Sequence, residues 1–252
     1  MTRRLLLLLI GSLALAASGC IAPSDPLPPP TTKPSVRILF IGNSYTFFNG
    51  GVDRMLTELA AQRGKTIECV PVVSGGRSLA WHWEQSDARA MIARGKWDWV
   101  VLQDYSTQPL KHPDEMAEAI RNFDRAIKAA GAKTALFMTW ARESGPEDQP
   151  QIAAEYLSLG NELGATVVPV GLAWQRAREE MRDQELYRFD GSHPTAEGTY
   201  LAACCFQVAL LHGDPRGLTA PLIDEQGLPP RRLRDDHAAL LQRIAWETAR
   251  QR

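Results

Sequence analysis

The sequence predicts an α/β fold, a single three-layer α/β/α sandwich built around a parallel sheet of five strands. Short apolar runs alternate with helical segments about five times, a pattern typical of a parallel sheet covered by helices on both faces. The composition, 44% hydrophobic and 23% charged, is that of a globular protein and excludes intrinsic disorder and a multi-span membrane protein. Since the sequence shows neither an internal repeat nor a sign of a second domain, we expect one domain over residues 36–252.

The first elements are predicted from apolar runs and from helical spacing. Residues 36–41 form an apolar run that ends at Gly42, as a buried strand does. Residues 51–63 repeat apolar side chains at helical spacing and predict an amphipathic helix. A second strand is predicted over residues 66–73 and a second helix over residues 86–94.

The middle of the chain continues this alternation. Residues 97–103 predict the third strand, and residues 114–130 predict a long amphipathic helix. Residues 133–139 predict the fourth strand, followed by a helix over 152–163 and the fifth strand over 165–170. A glycine follows each of these two helices, as is common where helices end.

The last part of the chain is predicted to be mainly helical. Helices are expected at about 172–183 and at 195–211, and a final amphipathic helix at 234–250. Residues 213–230, rich in Gly and Pro, are predicted to form a loop. Because right-handed crossovers join parallel strands, functional loops are expected at the carboxyl ends of the strands.

The N-terminus is predicted to be an export signal over residues 1–19. Arg3 and Arg4 precede the uncharged run Leu5–Ala17, which is shorter than the ~20 residues needed to span a bilayer. Small residues then precede Cys20, a pattern that resembles the lipobox of bacterial lipoproteins and predicts lipidation of Cys20. The alternative is an ordinary secretory signal that is cut after a small residue.

Residues 20–35 form a Pro-rich linker that favours extended polyproline geometry. We interpret this linker as a spacer between the domain and a membrane. The residue after Cys20 is Ile21. An Asp at this position often favours retention in the inner membrane in such lipoproteins, and this chain has none there. The expected location is therefore exported and lipid-anchored to a bacterial membrane, with the outer membrane favoured, facing the periplasm or the surface.

Charge and cysteine content exclude several classes of partner. Lys and Arg number 28 against 29 Asp and Glu, so no basic excess exists to neutralise phosphates, which argues against a nucleic-acid partner. Cys69, Cys204 and Cys205 are expected to be small buried thiols, with at most one disulfide among them. No Cys/His spacing resembles a zinc site, so neither a metal nor a cofactor is predicted.

Two short motifs contain residues that could carry chemistry. Gly42-Asn43-Ser44 follows the first predicted strand, where an α/β fold presents its site, although an isolated serine here could simply cap a helix. Asp190-Gly191-Ser192-His193-Pro194 precedes the helix at 195–211. Its carboxylate and imidazole, three residues apart on a turn, can hydrogen-bond, but alone the motif could equally be a helix-entry loop with a chance histidine.

Together the two motifs resemble the SGNH/GDSL hydrolase superfamily, in which a G-[DN]-S block follows the first strand and a D-x-x-H block lies near the end. The resemblance covers roughly residues 36–212, with GNS in place of GDS as in a bacterial branch. It implies the flavodoxin-like α/β/α fold and a serine esterase. It also implies a triad in which Ser44 is the nucleophile, His193 the base and Asp190 the residue that orients the histidine.

The same resemblance implies an oxyanion hole. Its first donor would be the Ser44 amide, and its second a glycine after the second strand, for which Gly76 is preferred and Gly75 is the alternative. The superfamily places an Asn after the third strand, where this chain has none. Gln103 carries the same amide one methylene further and is our candidate, with Gln108 second; alternatively, Gln103 only ties down neighbouring loops.

Candidate substrate contacts are aromatic or cationic residues beside these loops. Trp81 and Trp140 are assigned as possible substrate-binding residues, with ordinary packing as the alternative, and Arg142 lies in the same region as Trp140. The expected reaction is hydrolysis of carboxylic esters, specifically O-deacetylation of carbohydrate. The alternatives are a general or lipase-like esterase with the same triad and a non-catalytic glycan-binding lipoprotein.

Overall fold

The sheet contains five parallel strands in the order β2-β1-β3-β4-β5. The computed structural model describes residues 34–180, 186–221 and 231–250. The strands are β1 (Val36–Gly42), β2 (Ile67–Val73), β3 (Trp99–Leu102), β4 (Lys133–Phe137) and β5 (Thr166–Val168). This topology confirms the predicted α/β fold and its five-stranded parallel sheet. The predicted signal peptide, Cys20 and nearly all of the Pro-rich linker lie outside the described residues.

Helices connect the strands and complete the domain. In the described ranges they are α1 (Ser44–Phe47), α2 (Val52–Gln62), α3 (Leu79–Gln85), α4 (Ala88–Ala93), α5 (Gln108–Lys111), α6 (Pro113–Ala129), α7 (Gln149–Leu163), α8 (Val170–Glu180), α9 (Ala196–Ala209) and α10 (Asp235–Ala249). Short 3₁₀ turns cover Phe48–Gly50 and Pro146–Asp148. None of the helices in these ranges is long and apolar enough to cross a membrane.

Two elements differ from the sequence prediction for local reasons. The helix predicted at 86–94 corresponds to α4, whereas α3 was not predicted; the Ser78 side chain caps α3 by accepting a hydrogen bond from the N–H of Trp81. Strand β5 ends at Val168, and Val170 begins α8 instead of extending the strand. Apolar runs of this length do not separate a buried strand from a buried helix.

Alternate residues of each strand point to opposite faces of the sheet, and both faces are covered. Ile38 and Phe40 of β1 pack with α2, α8, α9 and α10, whereas Leu39 and Ile41 pack with α3, α4, α6 and α7. All four side chains are fully buried, which explains why β1 reads as a continuous apolar run. The sandwich thus leaves the carboxyl ends of the strands as the place where loops can form a site.

The three cysteines of the described domain are unpaired. Cys204 and Cys205 are fully buried in α9, and Cys69 in β2 is half-buried. Burial raises the pKa of the Cys204 thiol to about 12, which keeps this thiol protonated and unreactive. These residues therefore act as small apolar side chains of the core.

Candidate active site

Ser44 lies at the first position of α1, directly after β1. The Asn43 side chain caps this helix by accepting a hydrogen bond from the N–H of Tyr45 at 3.2 Å. A Cβ atom at Gly42 would lie 2.6 Å from Gln103 Oε1, so only glycine permits this close approach at the strand end. The tight turn holds Ser44 in a fixed position with 8% of its surface exposed.

Gln103, at the end of β3, braces the same turn. Its Oε1 accepts hydrogen bonds from the Asn43 N–H and from Thr46 Oγ1, both at 2.9 Å. Its Nε2 donates to Asn43 Oδ1 at 2.9 Å and to the carbonyl of Asp104 at 2.5 Å. Because the side chain is fully buried and both amide hydrogens are used, it has no donor left for an oxyanion. The structure therefore corrects the assignment of Gln103 to the oxyanion hole and favours the alternative, in which it ties neighbouring loops.

His82 of α3 supports this turn through a hydrogen bond to the end of β1, a role that the sequence did not reveal. Its Nε2 lies 2.8 Å from the carbonyl oxygen of Gly42, and its Nδ1 lies 3.1 Å from Ser86 Oγ. Burial lowers the pKa of His82, which keeps the ring neutral with Nε2–H as the donor to the Gly42 carbonyl. Only the packing of α3 against β1 places this histidine here, so no motif in the sequence could have identified it.

His193 and Asp190 lie on the loop before α9 and reach Ser44. His193 Nε2 is 2.9 Å from Ser44 Oγ, and His193 Nδ1 is 2.5 Å from Asp190 Oδ2. Asp190 Oδ1 accepts hydrogen bonds from the backbone N–H of Ser192 at 3.0 Å and of His193 at 2.9 Å. The structure thus brings the three residues of the two sequence motifs into one hydrogen-bonded chain.

The Asp190 carboxylate is held in its ionised form. Its partial burial raises the pKa, but the hydrogen bonds from the His193 side chain and from the two backbone N–H groups outweigh burial. The pKa of Asp190 is consequently lowered to about 2. An ionised carboxylate on Nδ1 directs the histidine proton to that nitrogen and leaves Nε2 free to accept a proton from Ser44.

Aromatic rings fix the position of the histidine loop. Tyr45 stacks on Trp140 at 4.2 Å between ring centres, and Trp140 stacks on Trp174 at 4.0 Å. Tyr45 Oη lies 2.7 Å from Ser192 Oγ, and Trp140 Nε1 donates to the Ser192 carbonyl at 3.0 Å. Trp140 is only 1% exposed, so the structure corrects its assignment as a substrate contact: it supports the loop that carries His193.

A cavity of about 430 Å³ lies over Ser44 and His193. Its wall includes Gly75 and Gly76, and Gly76 has a positive φ of 67°, which glycine adopts without strain. Neither glycine N–H donates a hydrogen bond to any residue of the described chain, so both remain available as oxyanion donors beside Ser44. The geometry does not select between Gly76 and Gly75.

Three further residues of the cavity wall come from loops after the strands: Tyr105 and Ser106, which the sequence did not single out, and Arg142, which it did. Tyr105 and Ser106 follow β3, and Arg142 follows β4. By contrast, Trp81 is half-buried under the guanidinium of Arg77 and does not line this cavity. Gln108, the second candidate oxyanion donor, is buried and also lies outside the cavity wall.

Asp104, next to Gln103, is a fully buried carboxylate. Its Oδ1 accepts hydrogen bonds from the N–H groups of Leu79 at 3.0 Å and Tyr105 at 2.6 Å, and so joins the start of α3 to the loop after β3. Its Oδ2 has no hydrogen-bond partner in the described chain. Burial raises the pKa of Asp104 from 3.8 to about 6.

This raised pKa predicts a pH-dependent contribution to stability. Between about pH 4 and pH 6 the folded state binds a proton that the unfolded state has released, so the free energy of unfolding falls as pH rises through this window. Asp104→Asn removes this titration. We therefore expect the free energy of unfolding of the variant, relative to that of the wild type, to rise by up to about 3 kcal/mol between pH 4 and pH 7. Urea unfolding at both pH values measures this change. Asp87→Asn, the same exchange at an exposed position, is the control. If the free energies of unfolding of Asp104→Asn and of the wild type differ by the same amount at pH 4 and at pH 7, the raised pKa of Asp104 is contradicted.

No three His, Cys, Asp or Glu side chains of the described residues cluster in a way that could hold a metal ion. The site is therefore composed, as far as the structure describes it, of a serine, a histidine, a carboxylate and backbone N–H groups around a cavity.

No protein-family profile matches this chain, and no curated protein does. Among solved structures, the chain is similar to a protein assigned to the SGNH hydrolases from Slackia heliotrinireducens. The two are 27% identical, with a TM-score of 0.59, over 69% of this chain and 98% of that one.

Two further structures show the same fold at lower identity. A DUF4886 family protein from Bacteroides uniformis is 21% identical, with a TM-score of 0.68, over 84% of this chain and 93% of that one. An acetyl xylan esterase from Geobacillus stearothermophilus is 18% identical, with a TM-score of 0.54, over 69% of this chain and 94% of that one.

Proposed function

We propose that this chain, which has the fold of the SGNH hydrolases, is a serine esterase that removes O-acetyl groups from carbohydrate. The observation that carries the proposal is the hydrogen-bonded chain from Ser44 through His193 to Asp190 at the edge of a cavity. An ionised Asp190 gives His193 the tautomer that a general base requires.

The proposed reaction proceeds through an acyl-enzyme. Ser44 Oγ attacks the ester carbonyl while His193 Nε2 takes the serine proton, and the carbonyl oxygen becomes an oxyanion. The backbone N–H groups of Ser44 and of Gly76 or Gly75 supply hydrogen bonds to that oxyanion. The tetrahedral intermediate then breaks its bond to the alcohol oxygen, which receives the proton from His193. Water, deprotonated in turn by His193, attacks the acyl-enzyme and releases the acid and free Ser44.

Carbohydrate esters are favoured by the lining of the cavity and by one neighbour. Ser106, Ser192 and Arg142 contribute polar groups that can hydrogen-bond sugar hydroxyls, beside the aromatic rings of Tyr45, Phe47, Phe48 and Tyr105 in the same wall. The similar structure of an acetyl xylan esterase supports the same substrate class.

A general esterase is the second candidate, because a second cavity with three phenylalanine rings in its wall adjoins the site. This second cavity, of about 280 Å³, shares Phe47, Phe48 and His193 with the first and includes Phe189, which is 98% exposed. Such a surface could receive an apolar group of a substrate.

We also propose that the mature chain is exported and anchored through a lipid on Cys20. The support is the charged start, the short apolar run and the small residues before Cys20. The Pro-rich linker would then separate the catalytic domain from the membrane surface.

Acetate release separates the two substrate classes. We expect the protein to release acetate from acetylated xylan and to hydrolyse p-nitrophenyl acetate faster than the butyrate, octanoate and palmitate esters. The reason is that Ser106, Ser192 and Arg142 can hydrogen-bond the hydroxyls of a sugar beside Ser44, which a long acyl chain does not exploit. Turnover confined to long acyl chains would contradict the carbohydrate proposal and support the general esterase.

A further inference from the structure

Arg142 is the one cationic side chain with a permanent charge among the described residues that line the cavity over Ser44. It is exposed and lies on the loop after β4. The only hydrogen bond of its guanidinium within the described chain is a long one, 3.4 Å from Nη2 to Ser106 Oγ. It makes no ion pair with any described residue, and none of the residues that form the cavity wall carries a carboxylate. The cavity wall therefore contains a positive charge to which no carboxylate of the described chain is directly bonded.

Several other arginines are neutralised by a carboxylate: Arg37, Arg121 and Arg176 each pair with a glutamate at 2.6–2.8 Å. Others, such as Arg94 and Arg125, also lack a carboxylate partner among the described residues, so it is the place of Arg142 in the cavity wall that distinguishes it.

Two more arginines without a carboxylate partner lie beside the site. Arg77 follows Gly76 and lies over the Trp81 ring at 5.1 Å. Arg188 lies over the Phe48 ring at 5.6 Å and lines the adjoining cavity. Two carboxylates lie nearby. Asp190 is engaged by His193 and two backbone N–H groups, and Glu143 lies against Gly191 and forms no ion pair with a described residue. Cations grouped around a cleft raise the local concentration of an anionic substrate.

We infer that Arg142 binds a carboxylate of the substrate, so that the preferred ester is carried by an acidic saccharide containing uronic acid. The inference rests on the proposed esterase function and specifies its substrate class. The planar guanidinium can donate two parallel hydrogen bonds to a carboxylate, which gives both affinity and orientation. Ser106, which accepts a hydrogen bond from Arg142, restricts the position of the Arg142 guanidinium group.

The test compares two substrates that differ only at their carboxyl groups: O-acetylated tetragalacturonate and the same oligosaccharide with those groups reduced to uncharged alcohols. The wild type is expected to prefer the acidic substrate by roughly tenfold or more in kcat/KM, mainly through KM, since charged hydrogen bonds are the stronger ones. Arg142→Gln is expected to remove most of this preference, and Arg142→Lys to retain part of it. Added salt should reduce the preference of the wild type.

Arg89→Gln is the matched control, because Arg89 is also exposed, forms no ion pair with a described residue and lies over Trp83, outside both cavities. It loses the same charge and should keep the preference. An equal fall of kcat/KM on both substrates in Arg142→Gln would place Arg142 at the oxyanion or in the fold and overturn the inference. A wild type without preference for the acidic substrate would overturn it as well.

Binding to the Ser44→Ala variant distinguishes failure of this inference from failure of the esterase proposal. Calorimetry with the acidic and the reduced oligosaccharide measures recognition without turnover. If the acidic ligand binds at least tenfold tighter only when Arg142 is present, the inference stands even when the wild type hydrolyses no ester. Equal binding of the two ligands rejects it whatever the turnover.

Discussion

Ser44→Ala will lower kcat for p-nitrophenyl acetate by roughly 10⁴–10⁶-fold, since it removes the atom that forms the acyl-enzyme. The fold should survive this change. The only side-chain hydrogen bond of Ser44 joins its Oγ to His193 Nε2, and the turn around it is held by Asn43 and Gln103. The unfolding midpoint of the variant should therefore remain close to that of the wild type, which a thermal melt measures.

Ser158→Ala is the control for this prediction, because Ser158 is an exposed serine of α7 far from the described site. Activity that persists in Ser44→Ala would mean that another nucleophile acts. Ser106 and Ser192 would be the next candidates, since both line the same cavity.

Asp190→Asn is expected to lower kcat by about 10⁴-fold without changing the shape of the loop. The asparagine oxygen can still accept the hydrogen bonds that Asp190 Oδ1 receives from the N–H groups of Ser192 and His193. Its NH₂ group, however, would face His193 Nδ1 and donate to it. The histidine would then carry its proton on Nε2 and could not accept the proton of Ser44.

Stopped assays of acetate release or of p-nitrophenol production measure this loss. Asp87→Asn, the same exchange at an exposed position, should be silent. A fall of less than tenfold in Asp190→Asn would show that His193 does not depend on this carboxylate, and the triad would lose its third member.

The strands and the motif residues could be predicted from the sequence because their signals are local. A buried strand requires a run of apolar residues, and the helices after it require their own spacing, so both are visible along the chain. Helix α3 could not be predicted in the same way. Its start depends on the cap formed by Ser78, and its packing depends on His82, which contacts the strand end forty residues earlier in the chain.

The hydrogen bonds that hold the site residues in place could not be predicted, because they join segments that are distant along the chain. The hydrogen bond of Gln103 to Asn43 joins residues 60 positions apart, and that of His193 to Ser44 joins residues 149 positions apart. A resemblance between motifs can indicate that Ser44 and His193 meet, but it does not show how their neighbours are used. For this reason the sequence alone assigns Gln103 to the oxyanion hole and Trp140 to the substrate.

The sequence by itself predicted the fold class, the order of the strands along the chain and the candidates Ser44, Asp190 and His193, because each depends on local patterning or on short motifs that resemble a known superfamily. Only the tertiary structure decided that both side-chain N–H groups of Gln103 are hydrogen-bonded around the turn that carries Ser44, and that Trp140 is buried behind the loop that carries His193. It also decided that Arg142 stands without a carboxylate in the cavity. Hydrogen-bond capacity, burial and charge balance are properties of neighbours in space, which the order of residues along the chain does not specify.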